Sequence, residues 1–327
     1  MSKPDPVKSF STFSHYLTAM RNFIEGSYPG TRPIRLRSIL TAQSQLTGFA
    51  SLTPVQGAPL PQVRQLLNNA WQNELALNVP RLMDLDDAYR FSIQWSPVQA
   101  YYSVFSLWRT WAVLNGGVDL STHQKARRTA SSVTRNRSLF PMPWGASVSG
   151  GQWLLDTTHH DFSGAQIHDV NNIAAPPADA DEDWLSKVLR TTRRDFLEDA
   201  EIRWKKQNKT QSGRPRQRIT AQGRASVRQN LHATTLFDFL YRLRLRSNYD
   251  DAADFLYGVL TSADAKQYFW SLLITTDMGQ LLLESIIRKQ VGAANFDPIA
   301  NDFLADTTRS RYSLLRRRLA AMQHVNP

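Results

Sequence analysis

The chain predicts an all-α protein. Three observations carry this: apolar residues recur at three-to-four spacing through most of the chain, helix start and stop signals bracket those stretches, and alternating strand patterns are scarce. At 327 residues, with 42% apolar residues and nine Trp, the chain is long and apolar enough to bury a sizeable core.

The elements follow in order. Val7 to Ile24 has helical spacing and ends before Ser27-Tyr28-Pro29-Gly30, a turn signal. Ile34 to Leu46 is helical. Gly48 to Pro61, with three prolines and a glycine, is expected to be loop, and Gln62 to Leu77 helix. Ser96 to Gly117 is the clearest element: Ser96 can cap, Pro97 suits the first turn, and Asn115-Gly116-Gly117 stops it. Apolar residues cover most of its circumference, including Tyr101, Val104, Phe105, Trp108, Trp111 and Ala112, so it is a core helix. Leu139 to Gly151 reads as loop and Gly164 to Ile173 as the one weak strand candidate. Asn171 to Asp183 reads as linker and Asp183 to Lys206 as an amphipathic helix. Lys209 to Gly223 is expected to be a mobile basic loop. One helix is expected from about Ala225 to Tyr257, and two more over roughly Ala265 to Gln290 and Pro298 to Met322.

Charge is the most informative functional signal. Between Ile202 and Phe237 lie Arg203, Lys205, Lys206, Lys209, Arg214, Arg216, Arg218, Arg224 and Arg228, without one Asp or Glu. A second acid-free window, Leu120 to Leu155, holds Lys125, Arg127, Arg128, Arg135 and Arg137. These two windows carry 14 of the 39 basic residues and none of the 28 acidic ones, so they supply the whole net charge of +11. Charge confined in this way points to a polyanionic partner, nucleic acid foremost.

Other classes lose support. There is no cysteine, hence no disulfide, thiolate metal site or cysteine nucleophile, which suits a cytoplasmic location. The longest apolar run, Tyr268 to Ile287, is broken by Asp277, Gln280 and Glu284, so no membrane span is expected. No GxxxxGK, GxGxxG or GxSxG occurs, and no cofactor is expected. Asp156, His159, His160, Asp161, His168 and Asp169 match no helical metal-ligand spacing, and the expectation is polar loop with no metal. Trp144, Trp153 and Trp204 lie near the basic windows, where an exposed indole stacks on an unpaired base and a buried one is core. Arg316-Arg317-Arg318 reads as a solvated helix end.

The stretch Leu236 to Asp250 carries an apolar face of Leu236, Phe239, Leu240 and Leu243. Arg246 lies within about 60° of Leu243, which places it half-buried. Its bland partner is Asp250; its sharper use is gripping a phosphate. The helix with Ala100-Tyr101-Tyr102 ending at Gly116-Gly117, with His123 and Lys125 following, resembles the first helix of HEPN proteins. The segment Arg242-Leu243-Arg244-Leu245-Arg246-Ser247-Asn248-Tyr249-Asp250 resembles their closing helix.

This resemblance spans residues ~90 to 257. It implies an up-and-down helical bundle that commonly dimerises and associates with RNA, often as a metal-independent ribonuclease in toxin or phage-defence systems. The chain is then organised as an N-terminal helical region (1–90), a HEPN-like bundle (91–260) and a C-terminal helical region (261–327), with Arg242 and Arg246 marking the groove. The sequence departs from the ribonucleolytic pattern of Arg, polar residue, then His. Arg246-Ser247-Asn248 and Arg135-Asn136 lack the His, and Arg228-Gln229-Asn230-Leu231-His232 has a gap about one residue short. Cleavage needs a base for the ribose 2′-OH and a cation for the phosphorane. The candidates are His232 with Arg228 on one helix face, or His123. The expected function is RNA binding by the basic windows of a HEPN-type toxin or phage-defence component, with RNA favoured over DNA. The alternatives are ribonuclease activity and a non-catalytic subunit whose basic loop docks an acidic protein.

Overall fold

A computed structural model describes residues 6–83, 85–116, 120–149, 181–210, 213–248 and 261–325. Among these, fourteen helices and one two-stranded antiparallel ladder make an all-α fold. The helices are α1 (Pro6–Ser27), α2 (Arg32–Ser44), α3 (Thr47–Ala50), α4 (Leu60–Met83), α5 (Asp86–Ser92), α6 (Ser96–Leu114), α7 (His123–Asn136), α8 (Asp181–Gln207), α9 (Ala221–Asn230), α10 (Leu236–Asn248), α11 (Ser262–Val291), α12 (Ala293–Leu304), α13 (Thr307–Tyr312) and α14 (Leu315–Val325). Strands β1 (Ser147–Val148) and β2 (Thr234–Thr235) pair Ser147 with Thr235 and Val148 with Thr234.

Helices α6 and α11 form the centre. Helix α11 starts at a capping box: Thr261 Oγ1 accepts from Asp264 N at 3.1 Å and Asp264 Oδ2 accepts from Thr261 N at 3.0 Å. It ends at Gly292, whose φ of 86° an L side chain rarely adopts. Of the 30 residues of α11, 22 are buried, because α1, α2, α5 and α6 pack around it. Reciprocal amide hydrogen bonds between Asn115 and Gln290, at 3.1 and 3.0 Å, tie the two central helices together at one end. The apolar core is contiguous from Phe10 to Met322 and draws on all three sequence regions.

Several boundaries differ from expectation. Ser96 is the first residue of α6 rather than its cap, because α5 precedes it. Helix α4 runs past Leu77 and through Pro80. The acid-free stretch after Leu120 contains α7, which rises from a Thr122 cap on Lys125 N. The described part of the helix expected from Ala225 to Tyr257 is divided between α9 and α10, and the helix expected from Pro298 to Met322 is three.

The basic segment after α8 is folded back rather than loose. Arg216 N donates to Lys205 O at 3.1 Å, Thr210 N donates to Arg214 O at 2.8 Å, and Thr220 caps α9. The strand candidate at 164–173, most of the linker, and Trp153 lie outside the described residues, as does the His/Asp cluster at 156–169. No described helix is long and apolar enough to cross a membrane.

Candidate nucleic-acid interface

Helices α7, α8 and α10 bring the two basic windows together. Arg127 sits on the inward side of α7, with its guanidinium 3.8 Å from the ring centre of Phe196 on α8 and 4.5 Å from that of Tyr241 on α10. Beside it, a cavity of about 310 Å³ is lined by Arg127, Phe196, Asp199, Ile202, Arg203, Tyr241 and Leu245. Arg127 belongs to the first acid-free window and Arg203 to the second. Elsewhere in the two windows Lys125, Arg128, Lys206, Lys209, Arg214, Arg216, Arg218 and Arg228 are exposed, as is Arg203 itself, and Lys205 is half-buried. Arg224, also exposed, lies 3.5 Å from Glu201.

The floor of the groove is a buried charge network. Asp238 is fully buried; its Oδ1 accepts from Arg127 Nε at 2.5 Å and lies 3.1 Å from His232 Nε2, and its Oδ2 accepts from Thr235 N at 2.9 Å. Burial alone raises such a carboxyl, but Arg127, His232 and the Thr235 amide outweigh it and hold Asp238 at about 2. Arg193 donates to the His232 carbonyl at 2.8 Å. Arg242 is buried, 2.6 Å from Asp195 Oδ2, and donates to Thr191 and Thr192 hydroxyls at 3.2 and 3.3 Å. Arg246 is half-buried as expected, and 3.6 Å from the same Asp195 oxygen. Arg127 and Arg242, expected to contact nucleic acid, therefore have their guanidiniums engaged inside the protein.

The predicted Arg228–His232 pairing does not form. Helix α9 ends at Asn230, and Leu231 is extended with φ −80° and ψ 119°. The chain then enters β2, so Arg228 is on an exposed helix end while His232 turns inward to Asp238. The competing force is the β1–β2 pairing and the buried carboxylate of Asp238 at the third position of α10.

His123, at the start of α7, stands in an aromatic nest. Its Nδ1 shares a 2.9 Å hydrogen bond with the Tyr101 hydroxyl, and the rings of Tyr101, Tyr102, Phe105 and Tyr241 surround it. Burial, then Arg244 and Arg127, lower its pKa, and burial raises that of Tyr101. Arg244 is buried against three tyrosines and donates to the Tyr102 hydroxyl at 3.2 Å. Sequence reasoning missed Arg244. Its signal was present: at about 100° per residue Arg242 and Arg246 share one side of α10 and Arg244 lies opposite, toward Tyr101-Tyr102.

The tryptophans divide. Trp144 is core, donating to Thr275 O at 3.2 Å and packed so closely on Gly279 that a Cβ there would lie 2.2 Å from its ring. Trp204 is half-buried over Gly223 of α9. Arg318, expected in solvent, is fully buried among Glu74, Asp277 and Glu284. Among the described residues no group of His and carboxylates is arranged to hold a metal ion.

A second cavity of about 340 Å³ lies between α4, α5 and α6. On its lining Val79, Met83, Phe91 and Trp95 are exposed, Phe91 at 76%. No family model matches the chain, and no curated protein or solved structure is detectably similar to it.

Proposed function

We propose that this protein binds single-stranded RNA along the α7–α8–α10 groove, in the manner of a HEPN-like bundle. The observation that supports the reading is the convergence of the two acid-free windows on one cavity, across Arg127, Phe196 and Arg203. A cationic track beside aromatic side chains suits an unpaired strand, whose phosphates and bases are both accessible. The end of α8 and the folded-back turn supply backbone contacts through Arg203, Lys206, Lys209, Arg214, Arg216 and Arg218. Backbone hydrogen bonds from Arg216 N to Lys205 O and from Thr210 N to Arg214 O hold that turn against the end of α8. Fluorescence polarisation of labelled RNA, titrated at rising salt, tests this. Binding that weakens steeply with salt is expected, and no binding at low salt overturns it. DNA of the same sequence measures the preference for RNA.

The reading includes self-association. The exposed apolar residues Val79, Met83, Phe91 and Trp95 line one open cavity, a patch of the kind that marks an interface. Helix α5 is self-complementary across a two-fold axis: Asp86 and Asp87 of one copy can face Arg90 of the other.

A second reading adds metal-independent cleavage, with His123 rather than His232 as base. What favours it is an imidazole, hydrogen-bonded to Tyr101, with its pKa lowered by burial and then by the guanidiniums of Arg244 and Arg127. When Nδ1–H donates to Tyr101, Nε2 keeps its lone pair for a 2′-OH proton. The phage-defence or toxin role that the sequence resemblance implies goes with the RNA-binding reading, with or without cleavage.

A further inference from the structure

We infer that the cavity between α7, α8 and α10 receives one unpaired guanine base of the bound strand, so that the groove reads sequence as well as charge. This rests on the RNA-binding reading above and names what that site recognises.

The lining is mixed in a way that separates a base from a bare phosphate. Ile202, Leu245, Phe196 and Tyr241 supply apolar and aromatic surface, which a phosphate dianion does not seek. Asp199, exposed on the same lining, is a carboxylate that would repel it. Arg127 supplies the opposite chemistry. It is 8% exposed, its Nε is committed to Asp238, and its guanidinium edge stands on the cavity lining. A guanidinium there is a charged donor for a ligand acceptor.

The cavity therefore offers one cationic donor and one carboxylate acceptor beside aromatic walls. The guanine Watson–Crick edge carries the matching set: the O6 acceptor, adjacent to the N1–H and N2–H donors that a carboxylate accepts together. Adenine has no donor pair, and uracil presents one N–H between two carbonyls. A volume of about 310 Å³ is at the small end of ligand pockets and suits one base rather than a dinucleotide. Arg203 stands at the rim. Its Nε is bound to the Asp199 carbonyl at 3.3 Å, and the terminal nitrogens remain for the phosphate attached to that nucleotide.

The test compares three labelled strands with the full-length protein at fixed salt: oligoadenylate, the same strand with one central guanosine, and the same strand with inosine there. The guanosine strand is expected to bind about tenfold tighter than oligoadenylate. Inosine, which keeps O6 and N1–H but lacks the 2-amino group, falls between them. Asp199→Asn is at the surface and should fold normally, as its melting temperature will show. It is expected to erase the guanosine preference, so that the guanosine and oligoadenylate strands bind alike. Leu245→Trp, which fills the cavity, should do the same. Equal, salt-sensitive binding of all three strands by the native protein overturns the base pocket and leaves RNA binding standing. A guanosine preference that survives both substitutions also overturns it. Absence of binding to every strand overturns the RNA reading and this inference with it.

Discussion

Arg127 Nε lies 2.5 Å from Oδ1 of Asp238, which is wholly buried. Arg127 comes from a window whose net charge points outward to a polyanion, yet this guanidinium is part of the interior. Removing one member of such a pair leaves the other charged and unpaired. Asp238→Asn and Arg127→Ala should each cost about 3–5 kcal/mol, seen as a lowered melting temperature or urea midpoint. The pH dependence has a fixed sign. The folded carboxyl, at about 2, is lower than in the unfolded chain, so its contribution is full above the ordinary Asp value near 3.9. It is lost as pH falls toward 2. Acid titration of the native protein should show a loss of stability in that interval that Asp238→Asn lacks.

The exposed cations should behave differently. Changing Lys206, Arg214, Arg216 and Arg218 together to Ala removes four charges that touch no buried group, so stability should move by no more than about 0.5 kcal/mol. RNA affinity should fall. If all four contact phosphates, the slope of log K against log salt should flatten by about 3, at roughly 0.7 per neutralised phosphate on a single strand. Unchanged affinity and slope in this variant would place the RNA track elsewhere.

The residues themselves show how far the sequence was legible. Helical periodicity and caps located α1, α2, α6, α8 and α11 well, because local propensity, stop signals and tertiary packing agree there. The break at Leu231–Ala233 was not legible. Nothing near Arg228 and His232 announces that Thr234 will pair with Val148, a contact spanning 86 residues of chain. Arg316-Arg317-Arg318 looked solvated for the same reason: the three carboxylates that receive Arg318 lie on α4 and α11, far away in sequence. The charge windows were legible as composition. Their convergence on one cavity depends on how α7 and α8 pack and could be seen only in the structure.

His123 and His232 make distinguishable candidates for a base. If the protein cleaves RNA without metal, His123→Ala should abolish cleavage in EDTA, while Arg228→Ala leaves it intact because Arg228 stands apart on an exposed helix end. The His123 pKa is lowered, so the neutral imidazole persists to lower pH than usual. The acid limb of the single-turnover rate should therefore fall below pH ~6.5. Cleavage lost in His232→Ala but kept in His123→Ala would reverse the assignment.

The apolar face on α4–α6 makes a separate, concentration-dependent prediction. Phe91→Ser and Trp95→Ser expose less apolar surface and leave the core untouched, so folding stability of the monomer should be nearly unchanged. Sedimentation velocity should show the native protein as a dimer at micromolar concentration and the double variant as a monomer. Arg90→Asp alone should weaken the dimer, and restoring opposite charge with Asp86→Arg and Asp87→Arg in the same chain should recover it. A native protein that sediments as a monomer throughout removes this face as a self-interface.

Arg318 anchors the final helix by making one guanidinium serve three buried carboxylates. Nε donates to Glu284 Oε2 at 2.7 Å, Nη1 to Asp277 Oδ1 at 2.8 Å, and Nη2 to Glu74 and Glu284. Trp71 Nε1 donates to Glu284 at 2.9 Å, and Arg32, less buried, reaches Asp277 at 2.5 Å. Burial works to raise the Asp277 carboxyl, but Arg32 and Arg318 hold it below its ordinary range. Burial and Glu74 leave Glu284 above its own. The network links α4, α11 and α14, so removing its only fully buried cation leaves Glu74 and Glu284 without a cation and Asp277 with Arg32 alone. Arg318→Met should cost more than the ~3–5 kcal/mol expected for an ordinary buried pair, and Arg318→Lys should restore only part, because an ammonium lacks the planar fork. Arg317→Ala, on the exposed side of the same helix, should leave stability within about 0.5 kcal/mol of native. Thermal melts of the three variants give the ranking, and equal melting temperatures for Arg318→Met and Arg317→Ala would show that the buried network does not hold α14 in place.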